Sequence, residues 1–203
     1  MSEDRIFFIG RDAVPQLKRI SAGESLRWTF VVLPGTSCSL SVEIDLDGPG
    51  CEVDLAGVYL CGGDDKADIN VLLRHNCGGC RSEQLFKGIA GGRAKASFDG
   101  LVYVAEGAQK TVAHQQNRSI LLSPEALVES RPQLEIYADD VECSHGSATG
   151  FLDEEELFYM RSRGVPEAEA RRLQMVSFVS PVLSRLPEAD AGLVLEGLKQ
   201  LGV

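Results

Sequence analysis

The chain has 203 residues and a formal charge of −10, and it is 44% apolar and 25% charged. That is an ordinary globular composition, sized for one domain with an appendage. The acidic balance excludes a nucleic-acid binder built on clustered Lys and Arg, and no apolar run nears the roughly 18–20 residues of a membrane span. The start, MSEDRIFFIGRD, has no basic region and only a short apolar stretch, so it does not read as a secretory signal. A cytoplasmic chain is expected, with Cys38, Cys51, Cys61, Cys77, Cys80 and Cys143 as reduced thiols rather than a disulfide framework.

In chain order, the opening segment up to Ser25 carries weak signals. A strand is expected at Arg5 to Ile9, then a loop, and residues 1–39 read together as a lead-in and capping segment. From about Leu40 to Gly150 the apolar pattern has period two. Leu40, Val42, Ile44 and Leu46 alternate with Ser41, Glu43, Asp45 and Asp47. Cys51, Val53 and Leu55 follow, then Ile69, Val71 and Leu73, and later Leu134, Ile136 and Ala138. Such alternation predicts strands with one buried face. Turn signals begin near Gly48, Gly62, Cys77, Ala90, Glu106, Ser123 and Ala138, at nearly even spacing. A repeating unit of roughly 15 residues is too short to fold alone and predicts the stacked coils of a β-solenoid. A sandwich or cupin barrel stays open, although such folds turn about every 8–12 residues.

Beyond Gly150 the period becomes helical, so residues 151–203 read as a small helical domain. Asp153 is placed to cap a first helix with Glu156 three positions on. Arg161 and Arg163 suit its C-terminal end, and Gly164 terminates it. Pro166 opens a second helix, with an apolar stripe of Leu173, Val176, Val179, Val182, Leu183 and Leu186. Pro181 is expected to kink or stop it. A third helix is expected from Glu188 to Leu201. These helices either cover an end of the solenoid or dock a partner, with Phe158, Leu173 and Val176 as anchors.

No phosphate-binding glycine loop, zinc-protease motif or nucleophile elbow is present. Cys77 and Cys80 form a lone C-x-x-C. Without a second pair it makes half a zinc site at most, and the intervening Gly78-Gly79 also reads as a turn. The densest polar cluster is YADDVECSHG, Tyr137 to Gly146. On a strand, Cys143 and His145 share one face. A thiolate and an imidazole suit a soft or borderline metal, but two ligands hold it only with help from elsewhere. The alternative is a core-facing thiol beside a satisfied histidine. Asp139, Asp140 and Glu142 lie near enough to orient the imidazole or attract a metal ion, and also read as solvated turn carboxylates. Paired carboxylates serve carbohydrate-active β-helix enzymes too, a remote alternative, but adjacent strand residues face opposite ways.

The stretch Asn117 to Leu173, with its motifs RPQLEIYADDV, CSHG and LFYMRSRG, closely resembles the SufB/SufD family of iron–sulfur cluster assembly proteins, in its SufD-like form. Weaker similarity runs through Leu55 to Thr111. The resemblance implies a right-handed parallel β-helix over residues 40–150, followed by the helical domain. It also implies a non-enzymatic scaffold subunit that works with a SufB-like paralogue and a SufC-like ATPase of the ABC type. In the family, nascent clusters are thought to form between SufB and SufD. The histidine of CSHG carries over to His145 and the neighbouring thiol to Cys143, as ligands of a transient cluster or iron that the isolated chain need not retain. The chain reads as a short form, so a stand-alone homodimer that serves interaction or metal binding is the second expectation.

Overall fold

In the computed structural model, which describes residues 2–201, the alternating segments form eleven strands. They are β1 (Ser2–Phe8), β2 (Leu17–Ile20), β3 (Ser25–Val32), β4 (Cys38–Leu46), β5 (Glu52–Cys61), β6 (Lys66–His75), β7 (Arg81–Ala90), β8 (Lys95–Val104), β9 (Thr111–Leu121), β10 (Leu127–Ile136) and β11 (Val141–Gly150). The odd strands form a six-stranded sheet in the order β1-β3-β5-β7-β9-β11, and the even strands a five-stranded one, β2-β4-β6-β8-β10. All ladder pairs are parallel. Parallel neighbours need a long crossover, and here each crossover is a strand of the other sheet. The result is a β-solenoid of about five turns. Register fixes the period: Cys38 pairs with Ala67, and Ala96 with Val128, so ladder partners lie one full coil apart. The short repeat legible in the turn signals is therefore half of one coil.

The ladder begins before Leu40, within the expected lead-in segment, because β1 to β3 are rungs of the two sheets. The strand expected at Arg5 to Ile9 overlaps β1, whereas β3 is hidden for a physical reason. In β3 the residues Leu26, Trp28, Phe30 and Val32 face the lumen, while Val31 lies in a second apolar core on the outer face. A strand buried on both faces shows a continuous apolar run instead of alternation. Inside the lumen Phe7, Trp28, Phe30, Phe86 and Phe98 form a chain of aromatic contacts with centroids 4.8 to 6.4 Å apart. The coil corners stack as tightly. Gly63 and Gly92 have φ of +56° and +65°, and a Cβ on Gly92 would lie 2.9 Å from the Gly63 backbone. Only glycine meets both demands.

Three helices follow: α1 (Glu154–Ser162), α2 (Glu167–Leu183) and α3 (Glu188–Gln200). Asp153 caps α1 by accepting from the backbone N–H groups of Glu155 and Glu156 at 2.9 and 3.0 Å. The reciprocal half of the expected capping box is replaced. Gln174 on α2 accepts from the Asp153 N–H at 3.2 Å and donates to the Glu156 carboxylate at 3.0 Å. Pro181 does not stop α2, which runs on to Leu183. The missing proline N–H would have met the Ser177 carbonyl, and the Ser180 hydroxyl donates to that carbonyl instead, at 2.8 Å.

The helices do not cover an end of the solenoid. They pack sideways on the outer face of the six-stranded sheet, where Leu157, Ala170, Met175, Val179, Val182, Val194 and Leu198 join Val31, Ala56, Val58, Leu60 and Ile89. Arg185 pins the tail by donating to the Asp54 carboxylate at 2.7 Å and its carbonyl at 3.0 Å. Both faces of β3, β5 and β7 are therefore covered, as parallel sheets require, and the solenoid end at β10 and β11 is left open. No helix among the described residues is long and apolar enough to cross a membrane.

Candidate functional site

At the open end, β10 and β11 are the last rungs of their sheets, and no described strand pairs with their outer edges. The two edges differ. β10 carries Glu129, Arg131, Pro132 and Glu135, and a proline with charges blunts an edge against further pairing. β11 has no proline and one charged residue, Glu142, and from Ser144 to Gly150 it is exposed throughout. It is an unprotected row of backbone donors and acceptors.

Cys143 and His145 do share a face of β11, and it is the lumen face. Cys143 packs against the solenoid core beside Val141. His145 follows on the same side, opposite Gln115 in the ladder, but remains exposed because no further rung covers it. Burial pushes the Cys143 thiol up, and the neighbouring Glu142 charge adds to this. The group is therefore a protonated thiol at neutral pH, and an incoming metal must displace its proton. Among the described residues no cluster of three or more His, Cys, Asp or Glu side chains is placed to hold a metal. The strand offers two candidate ligand side chains beside its open edge.

Two of the carboxylates near this pair, Glu142 and Asp140, are engaged elsewhere. Glu142 alternates to the outer face, where its carboxylate lies 3.9 Å from His114. It cannot orient His145 from there. Asp140 belongs to a turn. Its N–H donates to the Gln109 side-chain carbonyl at 2.9 Å, its carbonyl accepts from the Lys110 N–H, and its carboxylate pairs with the Lys110 ammonium. That arrangement matches a backbone-bonding turn, not a pair of acid–base groups.

The C-x-x-C is likewise a corner. The Cys77 thiol donates to the Asp47 carbonyl and the buried Cys80 thiol to the Gly48 carbonyl, each at 3.2 Å. Of the three helical anchors, Phe158 is 73% exposed and Leu173 40% exposed, beside an exposed Tyr159. Val176 is not free, because it is half-buried in the helix–sheet core.

Two features escape sequence reasoning. His114 on the outer face meets the Ser144 hydroxyl at 2.8 Å through Nδ1, with Glu83 3.9 Å from Nε2. Inside the lumen, Gln84, Gln115, Asn117 and Ser119 are buried polar residues where apolar ones would be expected. Asn117 donates across the lumen to Ser130 at 2.8 Å, and the Tyr59 hydroxyl meets Asn117 and Ser119. The run HQQN at 114–117 carried the signal, since period two must turn half of it inward.

A family model described as "SUF system FeS cluster assembly, SufBD core domain" matches residues 16–178. The iron–sulfur cluster assembly protein SufD of Escherichia coli (strain K12) is 34% identical over 171 residues, which cover 84% of this chain and 40% of that protein. Protein ABCI7, chloroplastic, of Arabidopsis thaliana is 36% identical over 189 residues, covering 85% and 39%. SufD of Bacillus subtilis (strain 168) is 31% identical over 156 residues, covering 77% and 34%. The chain thus spans 34 to 40% of the length of these relatives. The matched segment takes in the solenoid from β2 through β11 together with α1 and most of α2, and on that ground the chain belongs to the SufB/SufD family.

Proposed function

We propose that the chain is a SufD-like scaffold subunit in iron–sulfur cluster assembly, which acts with a SufB-like paralogue and a SufC-like ATPase. Family membership supports the process. The observation that carries the reading is the placement of His145 and Cys143 on the lumen face of an unprotected edge strand. Another chain that pairs with β11 brings its own side chains within reach of these two. Two ligands from one subunit are too few to keep a cluster, which suits a scaffold that must release its cargo. Iron accepts both imidazole nitrogen and thiolate sulfur. In this reading the chain's own side chains bind and let go, and no bond-making step in an organic substrate is assigned to them.

The helical tail adds a second contact. Phe158, Tyr159 and Leu173 remain exposed after α1–α3 have covered the sheet, and we assign them to the ATPase, with Val176 serving the core. The test is hydrogen exchange on the full chain, alone and with a SufB-like paralogue. Amides of β11 should gain protection on complex formation while those of β1 do not. A complex that leaves β11 unprotected contradicts the proposal. Protection of β11 in the chain alone, rising with concentration, would support the homodimer instead.

A further inference from the structure

We propose that Gln115 is a positioning residue for His145, holding its imidazole in one tautomer so that the other ring nitrogen faces the seam. The inference rests on the reading of His145 as a cluster ligand and concerns how that ligand is presented. Gln84, Gln115 and His145 occupy successive rungs at one register position. Parallel rungs lie about 4.8 Å apart, so side chains at one register position stack directly. Gln84 and Gln115 are buried in the lumen at 2% and 0% exposure.

The two amides run head to tail. Gln115 Nε2 donates to Gln84 Oε1 at 3.2 Å, and Gln115 Oε1 is left without a partner. A buried carbonyl oxygen with no donor has lost its bond to water and gained none in return, so the column is incomplete as it stands. The protein has made room for it. A Cβ on Gly100, across the lumen, would lie 2.4 Å from Gln115 Nε2 and 2.8 Å from its Cδ. Any side chain at position 100 would displace the amide.

The next rung is His145. It lines the same trough of about 270 Å³ as Gln115, and it makes no hydrogen bond among the described residues. Rotation of the exposed imidazole brings a ring N–H to the orphan oxygen and continues the column by one member. Such an N–H to carbonyl bond fixes the tautomer, and the second ring nitrogen keeps its lone pair for iron. Histidine ligands commonly donate their other N–H to an oxygen in this way. Glu142 and Asp140 are turned outward or held by Lys110, whereas the lumen amide of Gln115 sits directly opposite His145 in the ladder.

The test uses the full chain without metal, labelled with ¹⁵N in its three imidazoles, at a pH where they are neutral. Long-range ¹H–¹⁵N spectra read the tautomer of His145, whose signals are assigned by their loss in His145→Ala. Wild type should shift the tautomer ratio roughly fivefold from that of a short histidine peptide, the preference expected from one neutral hydrogen bond. Gln115→Met, which keeps the volume without the acceptor, should relax to the ratio of a short histidine peptide. Gln115→Glu, which keeps an acceptor, should restore the bias. A peptide-like ratio in wild type overturns the proposal, and so does a bias that survives Gln115→Met. If Gln115→Met fails to fold, the comparison of wild type with the peptide decides alone. Cluster yield is a separate readout. A biased tautomer with normal yield in His145→Ala would leave the positioning intact and remove the ligand role.

Discussion

His75 ends β6 inside the lumen, fully buried, with Leu46 and Val104 on the rungs to either side. Its Nε2 lies 2.9 Å from the Ser82 hydroxyl, and Nδ1 has no partner. Burial pushes this imidazole down to about 4 from 6.5. In the unfolded chain it titrates near 6.5. Between those values the unfolded state binds a proton that the folded state refuses. Stability is therefore intact above about pH 6.5 and is lost progressively as pH falls toward 4. At about 1.4 kcal/mol for each pH unit, the gap amounts to about 3 kcal/mol. His75→Leu removes the titration. It leaves the Ser82 hydroxyl unpaired, a cost that does not vary with pH. Urea unfolding of both proteins at pH 7, 6, 5 and 4 isolates the term, because the carboxylates common to both cancel in the difference. Wild type should lose about 3 kcal/mol more than the variant between pH 7 and 4. Parallel stability curves, or an NMR titration of His75 near 6.5, would refute the reasoning.

Other outcomes follow from the same contacts. Phe86→Ala, which empties the middle of the lumen aromatic chain, should cost about 3–5 kcal/mol in denaturant unfolding. Arg185→Ala removes both hydrogen bonds to Asp54. With Asp54 half-exposed the loss should be about 2 kcal/mol, with faster amide exchange in α2 and α3 than in β9. With an aromatic disulfide reagent at pH 8, the partly exposed Cys38, Cys77 and Cys143 should react first. Cys51, Cys61 and Cys80 should wait for unfolding, since all three are buried and the Cys61 thiol is pushed up to about 12. Phe158→Asp should weaken capture of the ATPase at least tenfold with an unchanged unfolding midpoint, whereas Val176→Asp should lower the midpoint.

The solenoid was legible wherever one sheet face meets water. Leu40 to Leu46 alternate because their outer neighbours Ser41 and Glu43 are solvated, and the turn glycines repeat because corners stack on corners. The strand expected at Arg5 to Ile9 overlaps β1, but the rungs β2 and β3 were not legible. The helices bury the outer face of β3, and its ladder partners, Ser2 and Glu52 for Ser25, lie closer in sequence than those of the later coils. Where the helices would dock was equally hidden, since an apolar stripe on α2 fits a sheet face, a solenoid end or another protein alike. That ambiguity explains Val176, a stripe residue directed inward. At the site, the shared face of Cys143 and His145 followed from period two alone. That Glu142 lies on the opposite face also follows from that period. The orphan oxygen of Gln115 required the register of β7, β9 and β11, which no local pattern supplies.

The central claim, that His145 with Cys143 supplies ligands to a cluster shared across the β11 seam, is tested most directly by anaerobic reconstitution with the SufB-like and SufC-like partners. Visible absorption, together with iron and sulfide counts per complex, measures the yield. His145→Ala should leave folding and partner binding intact while cluster build-up falls several-fold, and Cys143→Ser should lower it less. An unchanged yield in both variants would contradict the claim and make β11 a structural end-coil.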